Sequence, residues 1–170
     1  MTPPLRFRAL VQARDLPAVL DLMMRASDYV LLEDGQPPTT AAATSFFTDC
    51  VPGGDPAQSV KLGVMQDQRL VGIADMGFGY PKAMDAYIGL LLLDPSVRGQ
   101  GIGQQTVAQL MAMARTRGAT RMLITVLEAN PRGHAFWQQM GFADEQRFPP
   151  AEGDPMRHNR QRMTRPLLPG

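Results

Sequence analysis

Residues Leu90-Leu91-Leu92-Leu93-Asp94-Pro95-Ser96-Val97-Arg98-Gly99-Gln100-Gly101-Ile102-Gly103-Gln104 decide how this chain folds. An unbroken apolar run, fit for a buried strand, stops at the turn pair Asp94-Pro95. A loop with glycines at 99, 101 and 103 follows. From Val107 the apolar residues Val107, Leu110, Met111 and Ala114 fall on one helix face. A strand, a glycine loop and a helix start together present a nest of N–H groups at a positive helix end. Such a nest suits an anion, above all a phosphate. Glycine lets the main chain approach that ligand closely.

Two phosphate motifs fail here. The P-loop requires a lysine after its last glycine, and none follows. The dinucleotide fingerprint requires glycine at 104 when read from Gly99, and Gln104 stands there. What remains is Arg98-x-x-Gly101-x-Gly103, either a phosphate loop or a glycine-rich connection between a core strand and a core helix.

Working outward, the central helix ends at Gly118, a C-cap signal. Arg121 to Leu127 is apolar on both faces, as an interior strand should be. A short helix over about Pro131 to Met140 closes at Gly141, and a strand starts at Phe142. Upstream, Asp85 to about Leu93 is a strand, and Ser59–Met65 with Leu70–Met76 form a hairpin. Leu5 to Ala9 alternates like a half-buried strand. Asp15 is placed to cap a helix with Pro17 in its first turn, and Thr39 to Asp49 reads as a second helix. Ser27 to Pro38 reads as a loop, and the basic segment near Arg160 to Leu167 as an edge strand guarded by arginines. The order implies one domain over 1–170, a mixed α/β sandwich.

Arg98-Gly99-Gln100-Gly101-Ile102-Gly103 resembles the Gln/Arg-x-x-Gly-x-Gly/Ala signature of the Gcn5-related N-acetyltransferases (GNAT). Asn130 to Phe142 is similar to the same family's Asn-x-x-Ala-x-x-Phe/Leu-Tyr-x-x-x-Gly-Phe segment, with Gly133 for alanine and Trp137 for tyrosine. The resemblance is tight over a cofactor core of about 87–142. It implies a mixed, mostly antiparallel central sheet flanked by helices, with a bulged strand splayed from its neighbour. It also implies acetyl-coenzyme A as co-substrate and direct attack by the amine of a small molecule or peptide. The rival reading is an acyl-CoA-binding or regulatory domain that has lost turnover.

Carried over residue by residue, the backbone of Leu91, Leu92 and Leu93 holds the pantetheine arm, and Leu92 N–H is the candidate oxyanion donor. Arg98, Gly99, Gln100, Gly101, Ile102, Gly103 and Gln104 take the pyrophosphate. Asn130 contacts the arm, and Phe136 and Trp137 wall it. The amine must lose a proton that costs about 4 to 5 kcal/mol to remove at neutral pH. Where relatives often carry a glutamate this chain has Tyr87, so Asp85, two residues earlier, becomes the candidate base, with Asp75 another. Trp137 replaces the tyrosine that often protonates the thiolate, which leaves Tyr80, Tyr87, water or unassisted departure, the last two being favoured. The acids Asp28, Glu33 and Asp34 hint at a cationic acceptor, though a solvated loop explains them equally.

Composition sets the bounds. The chain has 170 residues, 44% of them apolar, and a net charge of +1, which gives no support to nucleic-acid binding. Its single cysteine, Cys50, excludes an intrachain disulfide and reads as a small buried apolar residue in a reducing compartment. The N-terminus lacks a signal-peptide core and no run reaches membrane length, so the expected setting is cytoplasmic, without a membrane partner. No metal site is expected. Oligomeric state, including a homodimer, stays open.

Overall fold

The computed structural model describes residues 3–168. The ends of the span read as one domain, residues 1–2 and 169–170, lie outside it. The chain runs β1 (Leu5–Ala9), α1 (Gln12–Arg25), α2 (Ser27–Asp34), α3 (Thr40–Thr48), β2 (Val60–Gln66), β3 (Arg69–Phe78) and β4 (Asp85–Leu93). Then follow α4 (Ile102–Thr116), β5 (Arg121–Leu127), α5 (Pro131–Gln139), β6 (Ala143–Phe148) and β7 (Arg160–Pro166). The strands form one seven-stranded sheet in the order β1-β2-β3-β4-β5-β7-β6. Only β4–β5 is parallel, because the α4 crossover joins them; every other pair is antiparallel.

Helices cover both faces. On one, Val107, Leu110 and Ala114 of α4 and Trp137 of α5 pack on Ala74, Met76, Ile88, Met122 and Ile124. On the other, Val19 and Leu22 of α1, Val30 of α2 and Phe46 and Phe47 of α3 pack on Ile73 and Leu92. Among the described residues no helix is long and apolar enough to cross a membrane.

Three local expectations are corrected. Residues 27–34 are helical rather than a loop; Val30, Leu31 and Leu32 are consecutive and trace no stripe, and Gly35, at φ 73°, closes the helix. Asp15 is not the N-cap of α1: the helix starts at Gln12, Pro17 lies inside it, and the buried Asp15 side chain reaches back to accept Val11 N–H at 2.7 Å. The same carboxylate takes Arg8 Nη2 at 2.9 Å, pinning β1 to α1. Finally, β7 is interior between β5 and β6, so its arginines do not guard an edge.

Candidate active site

The parallel pairing of β4 with β5 runs only from Asp85↔Arg121 to Ile88↔Ile124. Beyond it the two strands part, β4 staying on β3 and β5 on β7. The cause is a bulge: β3 pairs Met76 with Ile88 but Asp75 with Leu90, so Gly89 is an extra residue. It resets the alternation, so that Ala86 and Ile88 face the α4 side, whereas beyond it Leu91 faces that side and Leu92 the other.

Backbone direction follows from the ladder. Asp94 N–H donates to Val71 carbonyl at 2.8 Å. Groups on an antiparallel strand alternate toward and away from the partner, so Leu92 also turns to β3, and Leu91 and Leu93 turn into the gap. The expected oxyanion donor Leu92 N–H is therefore engaged within the sheet, and the N–H groups of Leu91 and Leu93 are the ones presented. On the opposite bank, Glu128 N–H to Asn159 carbonyl (3.0 Å) fixes the parity that turns Thr125 and Leu127 into the gap. Sequence reasoning missed these two, since nothing in an apolar strand marks which amides lack a partner.

The gap leads to the glycine turn. Gly99 and Gly101 have φ of 75° and 79°, and a Cβ on either would meet nothing within 4 Å, so both backbones lie open. Gly101 is the N-cap of α4 without any side-chain cap, and the first turn carries no acid. The leading N–H groups of Ile102, Gly103 and Gln104 thus keep their capacity for an anion. Gly103 is small for packing: a Cβ there would stand 3.2 Å from the Phe136 ring. Gln100 Nε2 donates to Ser96 carbonyl at 3.0 Å, holding the turn. Arg98 points elsewhere, pairing with Asp28 of α2 (Nη1–Oδ2 2.6 Å) and donating to Leu93 carbonyl.

The α5 residues take other tasks than expected. Asn130 Oδ1 accepts Gly133 N–H at 3.0 Å as the N-cap of α5. A Cβ at Gly133 would come 2.5 Å from Asn130 Nδ2, so glycine in place of alanine permits this cap. Trp137 is buried, edge-on between Phe136 and Phe142 at centroid distances of 5.0 and 5.1 Å. It belongs to the core, and only the half-buried Phe136 beside Gly103 remains to wall an arm.

Behind the bulge, on the α1–α3 side, a cavity of about 550 Å³ is lined by Gly89, Leu90, Asp75, Tyr87, Tyr80 and Glu33, among others. Asp75 Oδ1 takes Lys61 Nζ at 2.7 Å, and Oδ2 lies against Gly89. Burial pushes the Asp75 carboxyl above its ordinary value, with Lys61 opposing. Asp85 does not line this cavity. It is buried, both oxygens held by Arg121 (Nε 2.9 Å, Nη2 2.7 Å) and one by Lys82 N–H at 3.1 Å. The Arg121 bonds hold its carboxyl below the usual range. That setting suits a structural ion pair and contradicts Asp85 as the base. Tyr87 Oη is hydrogen-bonded to Thr125 Oγ1, across the point where the strands part, and burial pushes its phenol up. Cys50, expected to be buried, is half-buried in the cavity wall.

The sequence model of the acetyltransferase (GNAT) family matches residues 21–142. The chain belongs to the GNAT family of acetyltransferases. Among solved structures, this GNAT domain is similar to an acetyltransferase from Thermus thermophilus, at 25% identity over 98% of this chain and 100% of that one, with a TM-score of 0.79. It is also similar to a GCN5-related N-acetyltransferase from Kribbella flavida, at 25% identity over 96% and 98% of the two chains (TM-score 0.70). The ribosomal-protein-S18-alanine N-acetyltransferase from Escherichia coli shares the fold at 17% identity, over 96% and 94% (TM-score 0.72). No curated protein matches the sequence. The GNAT fold expected from the two motifs is the one observed, and the similarity to the Kribbella flavida enzyme supports an N-acetyltransferase.

Proposed function

We propose that the protein transfers an acetyl group from acetyl-coenzyme A to the amine of a small molecule or peptide, by direct attack. The observation that carries this reading is the gap between β4 and β5, lined by Leu91, Leu93, Thr125 and Leu127 backbone and continuous with the uncapped N-terminus of α4. A pantetheine arm carries amide groups that such strand edges pair with, and a pyrophosphate fits the open backbone at Gly99 and Gly101. Acetyl-coenzyme A supplies an activated acyl carbon.

The chain's own groups do the rest. Leu91 N–H, the first donor past the bulge, stabilises charge building on the carbonyl oxygen, a contribution worth about 3 kcal/mol. Asp75, set against the bulge, takes the amine proton directly or through water. Tyr87 keeps its proton up to high pH and sits at the fork of the strands, so it returns one to the departing thiolate in the role Trp137 cannot fill. The half-buried Phe136 walls the arm's channel beside Gly103.

The test is thiol release from acetyl-coenzyme A across a panel of amines and peptides. Acceptor-dependent release supports the reading. Tight cofactor binding with no release for any acceptor instead favours a binding domain without turnover.

A further inference from the structure

We propose that the acceptor carries a second cationic centre besides the amine that reacts, as an α,ω-diamine does, and that amines bearing a carboxylate are excluded. This rests on reading the cavity behind Gly89 as the acceptor side of an acetyltransferase; the cavity is the site, and its lining says what enters. Four carboxylates face it from three elements: Glu33 and Asp34 at the end of α2, Asp49 after α3, and Asp75 on β3. Among the described lining residues there is no Lys, Arg or His. Among the described residues, only Asp75 of the four has a cation at bonding distance, Lys61.

Glu33 is half-buried and Asp34 exposed, and both stand in an unfavourable field. They occupy the last turn of α2, the negative end of a helix dipole, and no basic residue accompanies them there. Burial and the neighbouring Asp34 both push the Glu33 carboxyl up. The groups that oppose this are Arg160, engaged by Asp154 at 3.1 Å, Tyr29 of the same helix, and His158, whose Nε2 meets Leu32 carbonyl at 2.6 Å. Among the described residues neither acid has an ion-pair partner, so the half-buried Glu33 and the exposed Asp34 both remain available to a cation that enters the cavity. The aromatic lining agrees: Tyr80 and Tyr87 stand 5.9 Å apart, and Phe46 already carries the Lys61 ammonium 5.5 Å from its ring centre. The reacting amine belongs at Asp75 and the bulge, and the second charge at Glu33 and Asp34.

The experiment is calorimetric binding to the full chain with coenzyme A present, which needs no turnover. The probes are a series of α,ω-diamines and, for each, the alkylamine and the ω-amino acid of equal length. The best diamine is expected to bind about tenfold more tightly than its alkylamine, the step that one further charge contact supplies in a partly buried site. The amino acid is expected to be weakest. Glu33→Gln and, separately, Asp34→Asn should narrow the diamine advantage, with circular dichroism confirming the fold, and added salt should narrow it too. Equal binding of diamine and alkylamine, preference for the amino acid, or no binding by any diamine overturns the proposal. Selective diamine binding without thiol release upholds it and removes only the acetyl-transfer reading.

Discussion

The Asp75 carboxylate fills the space that a side chain at position 89 would need: a Cβ on Gly89 would lie 2.6 Å from Asp75 Oδ2. Gly89 is not among the residues with positive φ, so alanine there meets no backbone strain. Gly89→Ala should swing the carboxylate aside and strain its bond to Lys61, at a modest cost in stability. Because displacing a reacting group by about 1 Å can cost roughly 10²-fold, kcat should fall by that order while the fold is kept. Unchanged kcat would separate Asp75 from the chemistry.

Asp75→Asn tests the base itself. A carboxylate accepts a proton only when ionised, so wild-type kcat/KM should fall as pH drops through its raised pKa. Without it, the rate should depend on the small fraction of amine already neutral, and the acidic limb should move toward the amine's own pKa. The loss near neutral pH should be about 10²-fold. A pH profile superimposable on wild type would assign the proton to water.

Asp85→Asn should behave differently. Its carboxyl is buried against Arg121 with a depressed pKa, so its stabilisation is present above the unfolded pKa and lost as pH falls through the folded one. Arg121 retains Glu145, so the cost should be about 2–3 kcal/mol, below that of isolating a buried charge. Urea melts at neutral pH should show that deficit, shrinking in acid, while the acidic limb of kcat/KM stays in place. A shifted limb would return Asp85 to the chemistry.

Much of this was legible in the sequence because it is written in local chemistry. The leucine run, Asp94-Pro95 and the three glycines specify strand, turn and helix start in order, and the structure places each there. The catalytic side was harder, because it depends on register. Gly89 reads as one more strand residue, yet it shifts the pairing, turns Leu91 rather than Leu92 into the gap, and brings Asp75 from a neighbouring strand. Asp85 misled because it shares a face with Tyr87, as the alternation says, yet its carboxylate is taken by Arg121, from a strand 36 residues later. Trp137 and Asn130 sit in the expected motif, but packing between Phe136 and Phe142 and the cap on Gly133 are tertiary and local geometric facts that the motif does not state.

Tyr87→Phe keeps the ring against Tyr80 and removes only the hydroxyl bonded to Thr125. If the phenol returns the thiolate's proton, kcat should fall by about 10²-fold with KM nearly constant, as for loss of a general acid. Wild-type kcat would mean that the thiolate leaves unassisted.

The most direct measurement is a crystal structure of the protein with acetyl-coenzyme A. The pyrophosphate should rest on the N–H groups between Gly99 and Gln104, and the arm should lie between β4 and β5, bonded to the backbone of Leu91 and Leu93 rather than Leu92. Cofactor bound elsewhere, or β4 and β5 zipped together beyond Ile88 and Ile124 with the glycine turn unused, would contradict the account.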